Sequence, residues 1–172
     1  PKGDSAGFVG FGPIEKGSLM NDAPLIAVLT ELLAAEQQNL APRLFESTLF
    51  VSRLDVEAYN VVRAMAQACR EHCSALTELI LDLGGQPAPR TGDVTTADLH
   101  FLELHYVLPR LIADQRFLER KYAIAAPRVA AEPGAAALVS RVLDRHRRDL
   151  GRIQSLDART TSEPGAQVTG MD

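Results

Sequence analysis

The chain has 172 residues, 46% of them hydrophobic and only 5% aromatic, with no Trp and a formal net charge of −4 at neutral pH. That is length enough for one domain with a sizeable core, and the acidic balance removes nucleic acid as the expected partner. No apolar run reaches the roughly 20 residues that span a bilayer, and nothing at the N-terminus resembles a signal peptide, so the expected compartment is the cytoplasm.

Residues 1–21 carry five Gly and two Pro in no helical or strand period. They read as an arm, suited to docking on another copy of the chain or on an assembly. Four helical patterns follow over residues 22–156. The first runs from about Asp22 to Ser52, with Asn21 or Asp22 as cap and Pro24 in the first turn, where a missing N–H costs little. Its stripe is Leu25, Leu29, Leu32, Leu33, Leu40 and Leu44, with a kink expected at Pro42.

The second pattern spans roughly Asp55 to Leu83, with Val62, Met65, Cys69, His72, Leu76 and Leu79 on one side. It stops at Gly84-Gly85, a C-terminal cap signal, with Pro87 just beyond. Cys69 and Cys73 stand four apart on one side of this helix. A disulfide there is geometrically poor, so reduced thiols are expected. The third pattern, capped within Thr95–Asp98, carries Leu104, Leu108, Leu111, Asp114, Leu118 and Tyr122, with Pro109 as a second kink point. Pro127 to Pro133 breaks the chain. The fourth runs from about Pro133 to Leu156 through Val139, Val142, Leu143, His146, Leu150 and Ile153, and 157–172 read as a flexible polar tail. Spacings of three and four throughout describe an all-α fold, an antiparallel four-helix bundle made of two hairpins.

Each stripe holds one titratable residue where a Leu would be expected: Glu36, His72, Asp114 and His146. In an antiparallel hairpin, residues equidistant from the turn share a height. The first hairpin folds near residue 54, midway between 36 and 72, and the second near residue 130, midway between 114 and 146. Glu36 should therefore face His72, and Asp114 should face His146. Both pairs fall about 24–27 Å from their turns at 1.5 Å per residue, near mid-depth whichever end each turn occupies. Four unpartnered buried charges would unfold a marginal domain. Either a divalent cation takes two imidazoles and two carboxylates, or two metal-free ion pairs form; the spacing allows both.

The stretch Glu71-His72-Cys73-Ser74-Ala75-Leu76-Thr77-Glu78-Leu79-Ile80-Leu81-Asp82-Leu83-Gly84-Gly85-Gln86-Pro87 resembles the second helix of the ferritin-like superfamily, the bacterioferritins, rubrerythrins and their relatives. There a metal-binding His precedes an amphipathic run ending in Leu-Gly-Gly-x-Pro. Leu32-Leu33-Ala34-Ala35-Glu36 lies at a family-like distance upstream. The resemblance implies that Glu36 matches the first-helix carboxylate, His72 the first His ligand, Asp114 the third-helix carboxylate and His146 the second His ligand. It also implies chains that dimerise or build shells.

The family's two Glu-x-x-His motifs stand here as Cys69-Arg70-Glu71-His72 and Leu143-Asp144-Arg145-His146, so Cys69 and Leu143 replace both bridging carboxylates. What remains implied is at most one divalent ion, Fe, Mn or Zn, with any catalysis redox or oxygen-linked. Cys69, one turn from His72, is a candidate further ligand that would favour zinc. The rival expectation is a metal-free structural or interaction subunit of the same fold.

The remaining candidates read as structural. His100 and Glu103 suit a solvated pair, and Tyr59, Tyr106 and Tyr122 suit packing. The run Arg141, Arg145, Arg147, Arg148 and Arg152 reads as a solvated face beside Asp144 and Asp149, with docking of an acidic partner as its alternative. No Gly-rich phosphate loop, Ser-centred elbow or Cys-x-x-Cys is present.

Overall fold

The computed structural model describes residues 22–46, 56–87 and 104–162. The arm 1–21, the cap expected within 95–98 and the His100–Glu103 pair lie outside the described residues. Those described are helical, with no strand among them: α1 (Ala23–Gln37), α2 (Leu40–Glu46), α3 (Val56–Asp82), α4 (Leu104–Ala125) and α5 (Pro133–Ser162), with a 3-10 turn at Ala126–Val129 before α5. These make four helical rods, the first built from α1 and α2 in series. Among the described residues no helix is long and apolar enough to cross a membrane.

The first rod is interrupted at Gln38-Asn39 rather than merely kinked at Pro42. Pro42 has no N–H and its ring would collide with the carbonyl four residues back, at Gln38. The chain restarts instead, with Pro42 in the first turn of α2, where its missing donor would have been an orphan. The other orphans find acceptors. Ala41 N–H donates to Asn39 Oδ1 at 2.9 Å, and Leu40 N–H donates to Asp114 Oδ2 on α4 at 3.0 Å.

The end of α3 follows the expected Gly-Gly signal. Gly84 takes φ 74°, Gly84 N–H donates to Leu81 O at 2.9 Å and Gly85 N–H to Ile80 O at 2.8 Å, the paired bonds of a Schellman cap. A Cβ on Gly85 would lie 2.7 Å from Ile26 Cγ2, so this glycine lets the start of α1 rest on the end of α3. Helix α4 continues through Pro109, an exposed position in its second turn. Helix α5 runs to Ser162, six residues past the expected boundary. No Gly or Pro interrupts it there, and Arg159 pairs with Glu57 of α3 at 2.9 Å.

Packing joins α1 and α2 to α3, α4 to α5, α3 to α5 and α1 to α4. The apolar interior divides into two clusters. One gathers Leu29, Leu33, Leu76, Tyr122 and Val142; the other gathers Leu44, Met65, Leu108, Leu111 and Ile153. On every rod the polar residues fall between the two: Glu36 and Asn39 after Leu33, Cys69 and His72 before Leu76, Asp114 and Gln115 before Tyr122, and His146 after Leu143. A polar layer thus partitions the core.

Candidate metal centre

Three of the four predicted residues converge. Glu36 sits one residue from the end of α1 and is 1% exposed. Its Oε1 lies 2.8 Å from His146 Nε2, 3.1 Å from His72 Nδ1 and 3.0 Å from the Tyr122 hydroxyl, which donates to it. Glu36, His72 and His146 each offer one ligand atom, and these atoms lie within 4.8 Å of one another. The two imidazoles meet edge to face, centroids 5.4 Å apart at 73°. Tyr122 stacks at a tilt on His146 with centroids 5.1 Å apart.

Burial alone would raise the Glu36 carboxyl pKa. The hydrogen bonds from His146 and His72, with their charges, outweigh it and hold the group well below the usual carboxylate range. One oxygen collecting three donors is what a buried carboxylate needs in order to stay ionised. The second oxygen has a weak contact, 3.5 Å from Asn39 Nδ2.

His146 is 3% exposed and is oriented from behind. Its Nδ1–H donates to Gln115 Oε1 at 3.0 Å, which turns Nε2 towards Glu36. The same bond to Gln115 is the kind that holds a metal-ligating His in the tautomer with Nε2 available.

Asp114 does not join. Its carboxylate is turned to the start of α2, where it accepts from Leu40 N–H. Burial raises its pKa; the Leu40 hydrogen bond opposes that and the nearby Glu36 charge reinforces it. The midpoint construction gave the height of the pair but not its azimuth. A step of one residue turns a side chain by about 100°, and it is Gln115, not Asp114, that faces His146.

Cys69 does not join either. It is buried and its thiol donates to the Glu36 backbone carbonyl at 3.2 Å. The hydrogen bond with Cys73, burial and the Glu36 charge all push its pKa far up. Its sulfur is committed to a backbone carbonyl and lies outside the Glu36, His72 and His146 ligand set. Both cysteines are reduced.

Three residues of the polar layer escaped the sequence reading. Tyr122 was expected only to pack, yet it is fully buried with its hydroxyl on Glu36. It lies seven residues from Gln115, two turns along the same face of α4, so a polar position at 115 was the signal that the stripe carries a polar layer. Asn39, three before Pro42, has the spacing of an N-cap followed by a first-turn proline.

Beside His72 lies a cavity of about 380 Å³ whose α5 wall holds Arg141, Arg145 and Arg148. The arginine run is not uniformly paired. Arg145 bonds Asp149 at 2.7 Å, Arg147 bonds Glu119 at 3.2 Å, and Arg152 stands 3.7 Å from Asp149 Oδ1. That separation is ionic rather than hydrogen-bonded, in keeping with Oδ1 having no hydrogen-bond partner. Compared with protein-family models, with curated proteins and with solved structures, the chain matches none.

Proposed function

We propose that the chain is a ferritin-like metal-binding protein holding one divalent ion through Glu36 Oε1, His72 Nδ1 and His146 Nε2. The observation that carries this is the convergence of one carboxylate oxygen and two imidazole nitrogens within a 4.8 Å span. Two imidazoles and a carboxylate with positions left open suit Fe(II), Mn or Zn. Ligands of a tetrahedral ion with bonds near 2.05 Å stand about 3.3 Å apart, so the 2.8 and 3.1 Å separations widen by a few tenths on loading. Gln115 then orients His146, and Tyr122 holds the carboxylate.

A di-iron centre does not fit. Cys69 and Leu143 are both buried apolar-type positions, and two dications against one carboxylate would be left under-neutralised.

The ferritin-like arrangement is supported by the pattern of contacts. Ile26 meets Gly85, Phe45 meets Tyr59, Leu40 meets Asp114 and Arg159 meets Glu57. Neighbouring rods therefore run antiparallel, α3 and α4 run the same way, and the end of α3 lies at the opposite end from the start of α4. One long crossover is the connection of ferritin-like bundles.

The test is a titration of chelator-treated protein with Fe(II), Mn(II) and Zn(II), followed by calorimetry and melting. One ion per chain, lost in Glu36→Gln, is expected. No uptake, with a melting temperature unmoved by any of the three, rejects the reading. A second reading then stands, a metal-free subunit in which Glu36 and His146 form an ion pair that fixes helix register. The direct 2.8 Å contact between Glu36 Oε1 and His146 Nε2 favours it.

A further inference from the structure

The cavity beside His72 has a composition that neither reading of the Glu36 cluster uses. Arg141, Arg145 and Arg148 fall at intervals of four and three on α5. They line one face over about 10 Å, seven residues at 1.5 Å each. Arg145 is engaged by Asp149, which is itself buried. Among the described residues Arg141 and Arg148 have no ion-pair or hydrogen-bond partner. Of the five arginines in this run, the two left over are both in the cavity wall.

On the α3 side the charged neighbour is Glu71, whose carboxylate accepts from the neutral amide of Gln67 at 2.9 Å. Two unspent guanidiniums against one carboxylate leave the cavity positive, in a chain whose net charge is −4. Low walls of one sign concentrate counter-ions. Ala68, Ala75 and Leu138 supply an apolar surface between the charges. His72 closes the inner wall: its Nδ1 is turned to Glu36, and its Nε2 has no hydrogen-bond partner among the described residues. Its side chain is 13% exposed.

We infer that this cavity binds a small organic oxyanion. Arg141 and Arg148 grip its carboxylate or phosphate group, since guanidinium forks match both in bidentate geometry. The carbon skeleton rests on Ala68, Ala75 and Leu138, and the inner end reaches the outer edge of His72. A volume of about 380 Å³ lies within the range of small-molecule sites. The occupant shares His72 with the Glu36 cluster but does not depend on an ion there.

The experiment uses chelator-treated full-length protein at constant ionic strength, titrated with inorganic phosphate, with succinate and with chloride. Binding is followed by calorimetry and by the imidazole NMR signals of His72. Saturable 1:1 binding of phosphate or succinate, but not chloride, is expected, with His72 signals moving on the same curve; which of the two binds tighter names the source of the oxyanion. Arg141→Gln with Arg148→Gln weakens it about tenfold or more, while Arg147→Gln with Arg159→Gln, equal in charge change but outside the cavity, leaves it within about twofold. Equal weakening in both double variants, or no saturation up to tens of millimolar, overturns the inference. Because no ion is present in this titration, its failure leaves the metal reading standing, and a failed metal titration leaves this result standing.

Discussion

Replacing His146 by Leu in metal-free protein tests the polar layer most directly. The change removes one of three donors to Glu36 Oε1 and strips the partner from the Gln115 side-chain oxygen, buried at 1% exposure. Loss of a hydrogen bond to a charged group costs about 1.5–3 kcal/mol, and an orphaned buried amide oxygen about 1–3 more. The Leu side chain returns about 1 kcal/mol of apolar burial. The net expectation is a loss of about 3 kcal/mol, which for a domain of this size lowers the melting temperature by about 6–12 °C.

The same substitution on a Glu36→Gln background leaves no buried charge behind. The penalty there should shrink by about 1–2 kcal/mol, read as the coupling energy of a double-mutant cycle. Urea denaturation with chelator at neutral pH measures all four corners. A His146→Leu protein melting within about 2 °C of wild type, or a cycle with no coupling, would refute the account of Glu36 as an ionised carboxylate stabilised by its imidazoles.

Glu36, with its pKa lowered, contributes stability that is in place above its ordinary 4.5 and drains as pH falls through the lower folded value. Denaturation midpoints from neutral to acid pH should therefore fall less steeply in Glu36→Gln than in wild type. Asp114 has the opposite sign: its pKa is raised, so its contribution is complete below its ordinary 3.8 and is lost as pH rises through the folded value. At neutral pH Asp114→Asn keeps an acceptor for Leu40 N–H without the charge, and should exceed Asp114→Ala by about 1 kcal/mol in the same denaturation assay. Gly84→Ala should cost about 1 kcal/mol for its positive φ, and Gly85→Ala about 1–3 kcal/mol for crowding Ile26 and Ile80, read as shifts in urea midpoint. Cys69 should resist alkylation in the native state at mildly alkaline pH and react on unfolding, as mapped by peptide mass; rapid native labelling would contradict its raised pKa.

The stripes made the helices legible, because three-and-four spacing of Leu, Val and Ala has no other use in so aromatic-poor a chain. Midpoint arithmetic also brought Glu36, His72 and His146 to one level. It failed at Asp114, since the demand that turned this carboxylate away came from another helix. The break at Asn39 left Leu40 with an unpaired N–H, and the nearest acceptor was on α4. Cooperation of that kind between a proline on one rod and an acid on another leaves no period in the sequence. Tyr122 was hidden for a different reason: an aromatic residue in a stripe satisfies the packing pattern whether or not its hydroxyl has a partner. The end of α5 was placed early because polar residues after Leu156 carry no apolar signal, although nothing there breaks a helix.

The break after Gln37 has a mechanical side. In an unbroken rod Glu36 and Leu40 would share one continuous hydrogen-bond ladder. Here the rigid ladder ends one residue later, and α2 hangs from its own anchor on α4. The joint leaves Glu36 on the last turn of α1, while Leu40, Leu44 and the cluster beyond them are seated by a separate anchor.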